Sequence, residues 1–504
     1  MSEMRPPDEP TGPPVYGEPA AGGPDATYTH AETLGTEPRK SRRGLVIGSA
    51  AAVLAVVAGA AVWATTTLSG GGRQPDEVVP KSTFAYIKVD LDPAANQKLA
   101  ARSYFSKFPD LKDKVGSETD DVFDNLLAEV IKDEDLDYRT DVQPWFDKRA
   151  ALAVFSDGGT THVVGALRSK DDAKAKASLD KAVAEAKADG EEDMAYRLTK
   201  GYAILGDTKG VEAAVRLAET ESLHDNEVYR NDLDRLDGDQ VAVAWADVAK
   251  SFDAVTEGAG IAFVPQALAS QAKGSVVAGL HLENDVAEVQ GLIVGGDPKT
   301  FDRPGGQELL TGLPANTAAA LSVNGFGTAL GQATAGLPLD EMLGSFLEGS
   351  GVSVSGDLLP LLMKQTVAAV APFAGFEDLQ AGLVSQVDDP AKAQASAAKI
   401  QAALNVLGIP ATAQVEGDRF VLAMPEQYGA ELAKGGGGLG STPRFTKAMG
   451  DLDGVTDALY LDVSQLAKAV PYVFGGAPEG MSFGAVSGAR DGNGFFRLRL
   501  VVTG

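Results

Sequence analysis

The chain contains no cysteine among its 504 residues. That absence removes disulfides, thiol nucleophiles, iron–sulfur clusters and thiolate zinc sites at once, together with the lipidated cysteine of a lipoprotein. Histidine is nearly as scarce: the chain has 4, at His30, His162, His224 and His281, with no His-Glu-x-x-His pair among them. A histidine-rich metal centre is therefore not expected. Positive charge is in deficit, with 44 Lys+Arg against 70 Asp+Glu and a net charge of −26. Phosphate binding needs clustered Lys and Arg, so this balance argues against a nucleic-acid partner. Hydrophobic residues make up 44%, an ordinary share for a globular chain with a packed core.

The N-terminal region has little that can fold. Residues 1–43 are rich in proline and glycine and poor in aliphatic side chains, which predicts a disordered cytoplasmic tail. Pro13-Pro14-Val15-Tyr16 has the PPxY form of a WW-domain ligand, a cheap match in such a segment. Arg39-Lys40-Ser41-Arg42-Arg43 then precedes an uncharged run from Gly44 to Leu68. At ~1.5 Å per residue this run is long enough for a bilayer core of ~30 Å. The sequence thus predicts one transmembrane helix over 44–68. The basic cluster on its N-terminal side places the tail in the cytoplasm and residues beyond 70 outside the plasma membrane. Cleavage near Ala60 is the rival reading, since Ala58-Gly59-Ala60 is a small-x-small site. Gly44, Gly48 and Ala52 share one helical face and could pack a homodimer.

Beyond a tether at 69–78 the chain repeats itself. Val79-Pro80 through Val89 parallels Leu313-Pro314 through Val323, and Asp171-Asp172-Ala173-Lys174 recurs as Asp388-Asp389-Pro390-Ala391-Lys392. Tyr229 to Gly238 answers Phe445 to Gly454, and Trp245-Ala246-Asp247-Val248 answers Tyr460-Leu461-Asp462-Val463. The matches keep their order and spacing, predicting ectodomain repeats at 79–296 and 311–504 with a linker at 297–310. In each repeat, strand-like runs flank turn signals such as Asp157-Gly158-Gly159, Lys200-Gly201 and Glu416-Gly417-Asp418. The Asp171/Asp172 pair offers an N-cap before an apolar stripe of helical period, and its counterpart has Pro390 at the first turn, a similar stripe, and Gly408 as a terminator. The expected fold class is α+β: two tandem related lobes with mainly antiparallel sheets.

The apolar span together with Val79-Pro80 through Asp90, Phe105-Ser106-Lys107-Phe108-Pro109 and Asp141-Val142-Gln143-Pro144-Trp145-Phe146 resembles a family of actinobacterial single-pass membrane proteins. That family is classed only as a domain of unknown function. The second repeat lacks the Lys-Phe-Pro element and has Asp357-Leu358-Leu359-Pro360-Leu361-Leu362 in place of the Pro-Trp element. The resemblance implies surface localisation and brings no catalytic residue with it.

Few residues suggest chemistry. Ser-x-x-Lys occurs at Ser178/Lys181, Ser396/Lys399 and Ser270/Lys273, the first two at equivalent repeat positions. Without Lys-Thr-Gly these read as polar pairs on solvated helix faces. Asp133, Asp135 and Asp137 open like a calcium loop, but Tyr138 replaces its glycine and Pro144 its glutamate, so a solvated acidic loop is expected. Gly435, Gly437 and Gly440 satisfy Gly-x-Gly-x-x-Gly without the strand-to-helix context of a dinucleotide site, and read as a mobile loop. No catalytic residue, cofactor or metal is assigned. The leading expectation is a non-enzymatic binding or envelope-scaffold ectodomain whose ligand would sit in a cleft between the lobes. A carboxylate-based hydrolase of cell-wall or secreted substrate is a second class. A signal relay through Thr27, Thr33, Thr36 or Ser41 of the tail is a third.

Overall fold

The computed structural model describes residues 73–91, 95–109, 137–188, 190, 192–258, 272–296, 303, 305–333, 351–373, 375, 378–471 and 477–503. The expected tail, the apolar run 44–68 with Gly44, Gly48 and Ala52, and the acidic residues Asp133 and Asp135 lie outside them. Among the described residues no helix is long and apolar enough to cross a membrane.

The first repeat contributes β1 (Thr83–Asp90), β2 (Phe146–Asp157), β3 (Thr160–Ser169), β4 (Met194–Thr199), β5 (Tyr202–Asp207), β6 (Ala242–Asp247), β7 (Ser275–Leu282) and β8 (Val286–Val294). The second contributes β9 (Ala319–Asn324), β10 (Gln365–Val370), β11 (Ala381–Gln386), β12 (Thr412–Glu416), β13 (Arg419–Met424), β14 (Val455–Leu461), β15 (Met481–Arg490) and β16 (Asn493–Val502). Local chemistry sets the hairpins. Gly158 and Gly159 turn β2 into β3 with φ of 58° and 85°, and Lys200 and Gly201 turn β4 into β5 with φ of 51° and 79°. Those left-handed values match the twist of the flanking strands. The helix Pro390–Leu407 begins on the Asp389 carboxylate, which accepts from the Ala391 and Lys392 amides, and stops at Gly408 with φ 66°.

The expectation of two lobes separated by a cleft is overturned. All sixteen strands of the described residues form a single sheet in the order β12-β13-β11-β10-β9-β14-β15-β16-β8-β7-β6-β1-β2-β3-β5-β4. Reading outward from the centre, each half has the same connectivity. The last strand of one half, β8, is hydrogen-bonded antiparallel to the last strand of the other, β16, over eight residue pairs from Val286↔Val501 to Ile293↔Gly494. An exposed edge strand is a liability, and here each half covers the other's.

Two faces follow from strand alternation. One carries Tyr86, Ala153 and Ile204 under the helix Thr208–Thr220, and Ala320, Val367 and Val421 under Glu426–Lys434 and Pro443–Met449. The other carries Val89, Ala150 and Leu167 under Ala95–Phe105 and Asp172–Ala188, and Phe420 under Pro390–Leu407. The halves interlock at the seam: Val502 packs in the first half's core and Val286 in the second half's. Tyr104 donates to the Leu500 carbonyl across it. Asp285 pairs with Lys107 of its own half and Lys447 of the other. Those two ammonium groups hold its carboxyl below the usual range.

Gly291 faces Phe496 across the seam, and a Cβ there would lie 2.2 Å from the Phe496 ring. Gly291→Val is expected to cost about 2 kcal/mol in urea unfolding. Phe496→Ala should relieve much of that cost in a double-mutant cycle. Strict additivity of the two changes would refute this packing.

Candidate functional site

The lysines of the paired Ser-x-x-Lys elements are solvated, each side chain 51% exposed, but the pairs also have a partner. Each grips an aspartate on the irregular turn that precedes a central strand. In the second half, Ser396 Oγ donates to Asp357 Oδ1 at 3.1 Å, and Lys399 Nζ lies 2.9 and 3.2 Å from the two carboxylate oxygens. In the first half, Ser178 Oγ donates to the Asp141 carbonyl at 2.5 Å and Lys181 Nζ sits 3.4 Å from the Asp141 carboxylate. With its hydroxyl bonded to a carboxylate or carbonyl, and its lysine ion-paired, neither serine has the free base that nucleophilic catalysis requires. Ser270, of the third pair, lies outside the described residues. Asp137 is likewise committed: it caps the turn Tyr138–Val142, accepting from the Thr140 amide at 2.9 Å and its hydroxyl at 3.1 Å. Among the described residues no cluster of three His, Asp or Glu could hold a metal ion. The glycine run at 435–440 is pinned, not mobile. Gly437 donates to the Gly312 carbonyl at 2.9 Å, Leu439 to the Leu313 carbonyl at 3.0 Å, and Pro314 bridges Gly438.

One ionisable constellation was not anticipated. On β1, Tyr86, Lys88 and Asp90 share a face, and all three are buried. Arg149, opposite Asp90 on β2, donates from Nε at 2.9 Å and from Nη2 at 2.7 Å to Asp90 Oδ2. Burial lowers the Lys88 pKa from its ordinary value. The space beside these groups, a cavity of about 10 Å³, has room for a water and not for a substrate. Alternation at period two in Tyr86, Lys88 and Asp90 was the signal that could have flagged it.

The space lies on the other face of the same strands. In the second half a cavity of about 480 Å³ is bounded by Leu321, Ala368, Leu383, Leu404, Leu422 and Leu459, among others, and every one of its sixteen lining residues is Ala, Val, Leu, Ile, Met or Gly. In the first half a cavity of about 260 Å³ lies over Ala85, Ile87, Leu152, Val154, Ala244 and Val276. Ala85 and Ile87 stand two and four residues after Thr83, where Ala319 and Leu321 stand relative to Thr317, so the two cavities use corresponding strands. The larger is open: Leu321 is 48% and Ile409 42% exposed. Isolated apolar side chains at the surface are ordinary, whereas a contiguous apolar concavity marks a binding surface.

A sequence model of the family described as "Protein of unknown function (DUF3352)" matches residues 46–409. No curated protein and no solved structure matches the chain.

The aspartate grip makes its own prediction. Burial opposes ionisation of Asp357, but the Ser353 amide, Lys399 and Ser396 outweigh it and hold the pKa below the usual value. The carboxylate therefore adds stability above the unfolded pKa of about 3.9, and loses it as pH falls through the lower folded value. Asp357→Asn should cost about 2 kcal/mol at pH 7 in denaturant titrations and progressively less below pH about 4. An unchanged difference down to pH about 2 would count against the ionic grip.

Proposed function

Because the chain belongs to the DUF3352 family of proteins of unknown function, which brings no reaction with it, we propose its role from the groove: a non-catalytic protein that binds aliphatic chains. The observation that carries this reading is the lining of the larger cavity, which is wholly apolar and open on a sheet face. A site of this volume falls within the range of small-molecule pockets. With no titratable or nucleophilic group in its wall it offers affinity by burial and no means of proton or group transfer.

The amino-acid sequence supports a location that suits such a ligand. The basic cluster Arg39–Arg43 ahead of the apolar run 44–68 favours a chain tethered to the plasma membrane with residues beyond 70 outside, as in the actinobacterial single-pass proteins it resembles. A protein so placed meets lipid acyl chains at close range. The net charge of −26 favours repulsion from anionic envelope polymers, leaving apolar contact as the basis of recognition.

The test is direct titration of the full chain with saturated fatty acids of graded length, by displacement of a fluorescent acyl probe. Each pair of methylenes removed is expected to weaken binding roughly tenfold, given ~0.8 kcal/mol per buried CH2. Leu383→Asp, which places a charge in the groove wall, should abolish binding while leaving the far-ultraviolet circular dichroism unchanged. No binding, no dependence on chain length, or binding that survives Leu383→Asp in the folded protein would each overturn the proposal.

A further inference from the structure

The larger groove has a mouth whose rim is apolar and exposed. Leu404 and Ile409 line the groove, and between them the helix Pro390–Leu407 ends. Gly408, with φ 66°, donates to the Asn405 carbonyl at 3.2 Å, and Ile409 donates to the Leu404 carbonyl at 3.0 Å. Gln401 fastens this turn to the next strand: its Nε2 donates to Asn405 Oδ1 at 2.9 Å, and its Oε1 accepts from the Ala413 amide at 2.7 Å. The turn so held keeps Leu404 and Ile409 at the groove and leaves Val406 and Leu407 outside it, 83% and 58% exposed. Every residue from Asn405 to Pro410 is exposed.

Duplication supplies an internal control. In the first half the junction between the helix Asp172–Ala188 and β4 reads Lys187-Ala188-Asp189-Gly190-Glu191-Glu192-Asp193, with five charged residues. The same junction in the second half reads Asn405-Val406-Leu407-Gly408-Ile409-Pro410-Ala411, with none. The uncharged stretch runs from Ile400 to Val415, in a chain that is 23% charged. A helix-to-strand turn at this place therefore does not demand apolar side chains, and the half with the larger groove has them. Contiguous exposed apolar surface that the fold does not require marks a contact.

We infer that Val406, Leu407 and Ile409 form a lip that enters the apolar layer of a lipid bilayer, so that an acyl chain moves between bilayer and groove without crossing water. The inference rests on reading the groove as an acyl-chain site. Two observations select a bilayer over a second copy of the chain. The lip is three side chains, far short of the ~20–30 residues a side of a stable protein interface. The net charge of −26 sets copies against one another, whereas an uncharged lip is the part of such a chain that approaches a lipid surface with least repulsion.

Because the chain has no cysteine, Leu407→Cys and Val228→Cys each provide a single attachment point for an environment-sensitive fluorophore. Val228, 55% exposed on the helix Glu227–Leu233 of the first half, is the control. The full chain is reconstituted into vesicles of phosphatidylcholine brominated on its acyl chains. Fluorescence at 407 is expected to fall about twofold, as for a side chain lying ~5–10 Å into the acyl boundary, and to hold steady at 228. Equal quenching at both sites, or none at 407, overturns the proposal. Self-quenching at 407 that rises with protein density, in place of bromine quenching, would assign the lip to a second copy and overturn it too. Transfer gives an independent readout. Val406→Asp with Leu407→Asp should slow uptake of a fluorescent acyl chain from vesicles roughly a hundredfold, through the loss of two buried apolar side chains. Affinity for decanoate free in solution should stay at the wild-type value, because neither residue lines the groove. Uptake at the wild-type rate in the folded double variant refutes the lip. Leu383→Asp separates the two readings: it should remove decanoate binding and leave bromine quenching at 407 intact. Decanoate binding without quenching at 407 sinks the lip alone, and quenching without any acyl binding in the wild-type chain sinks the groove alone.

Discussion

The pairing of β8 with β16 is the constraint on which the rest of this structure depends. Each half ends on a hairpin whose last strand would otherwise present a row of unpaired amides and carbonyls. Joining those two edges satisfies both ladders and turns two eight-stranded sheets into one of sixteen strands. Open sheets of that width are unusual, because accumulated twist favours closure or splitting. Duplication explains this one: among the described residues only the edges β4 and β12 remain, and each half keeps its own helices. The side chains follow the ladder. Val502 fills the first half's core, Val286 the second's, and Asp285 draws a lysine from each. With the halves fused edge to edge there is no cleft between lobes, so a ligand must be sought on the faces of the sheet.

Those faces divide chemistry from space. Successive residues of a strand point to opposite sides, and β1 uses this to bury Tyr86, Lys88 and Asp90 on one face while Ala85 and Ile87 line a cavity on the reverse. A catalytic site needs reactive groups and substrate room on the same side, within hydrogen-bonding reach. In the first half Arg149 and Asp90 pair on one face of the central strands, and in the second half the larger cavity on the opposite face is lined by Ala, Val, Leu, Ile, Met and Gly.

Local features of the fold were legible in the sequence. The turns at Gly158, Gly201 and Gly417 need left-handed backbone, and Asp171 and Asp389 need only the next few amides to act as caps. The pairing of β8 with β16 was not legible, because it joins segments some two hundred positions apart and no local preference selects the partner of an edge strand. The same distance hid the role of Ser396 and Lys399. Their spacing was visible, but the aspartate they hold lies 39 and 42 positions earlier and becomes their neighbour only when Pro390–Leu407 crosses the turn. The groove was hidden for a different reason: alternation puts Ala319, Leu321 and Val323 of β9 on one face, and only the paths of the helices decide that this face stays uncovered.

The two halves also solve one problem with different chemistry, and the comparison identifies what charge adds. Ser322, Asn324 and Gln365 stand where Lys88, Asp90 and Arg149 stand, and Gln365 bonds Ser322 directly, so a neutral set occupies these strand ends in the second half. Charge is therefore not required for the fold, and ion pairs taken from water often stabilise no more than well-packed neutral replacements. What a buried ionic set changes is the cost of partial opening. Removing one partner strands an uncompensated charge, at about 3–5 kcal/mol, whereas a lost amide bond costs about 1–3 kcal/mol.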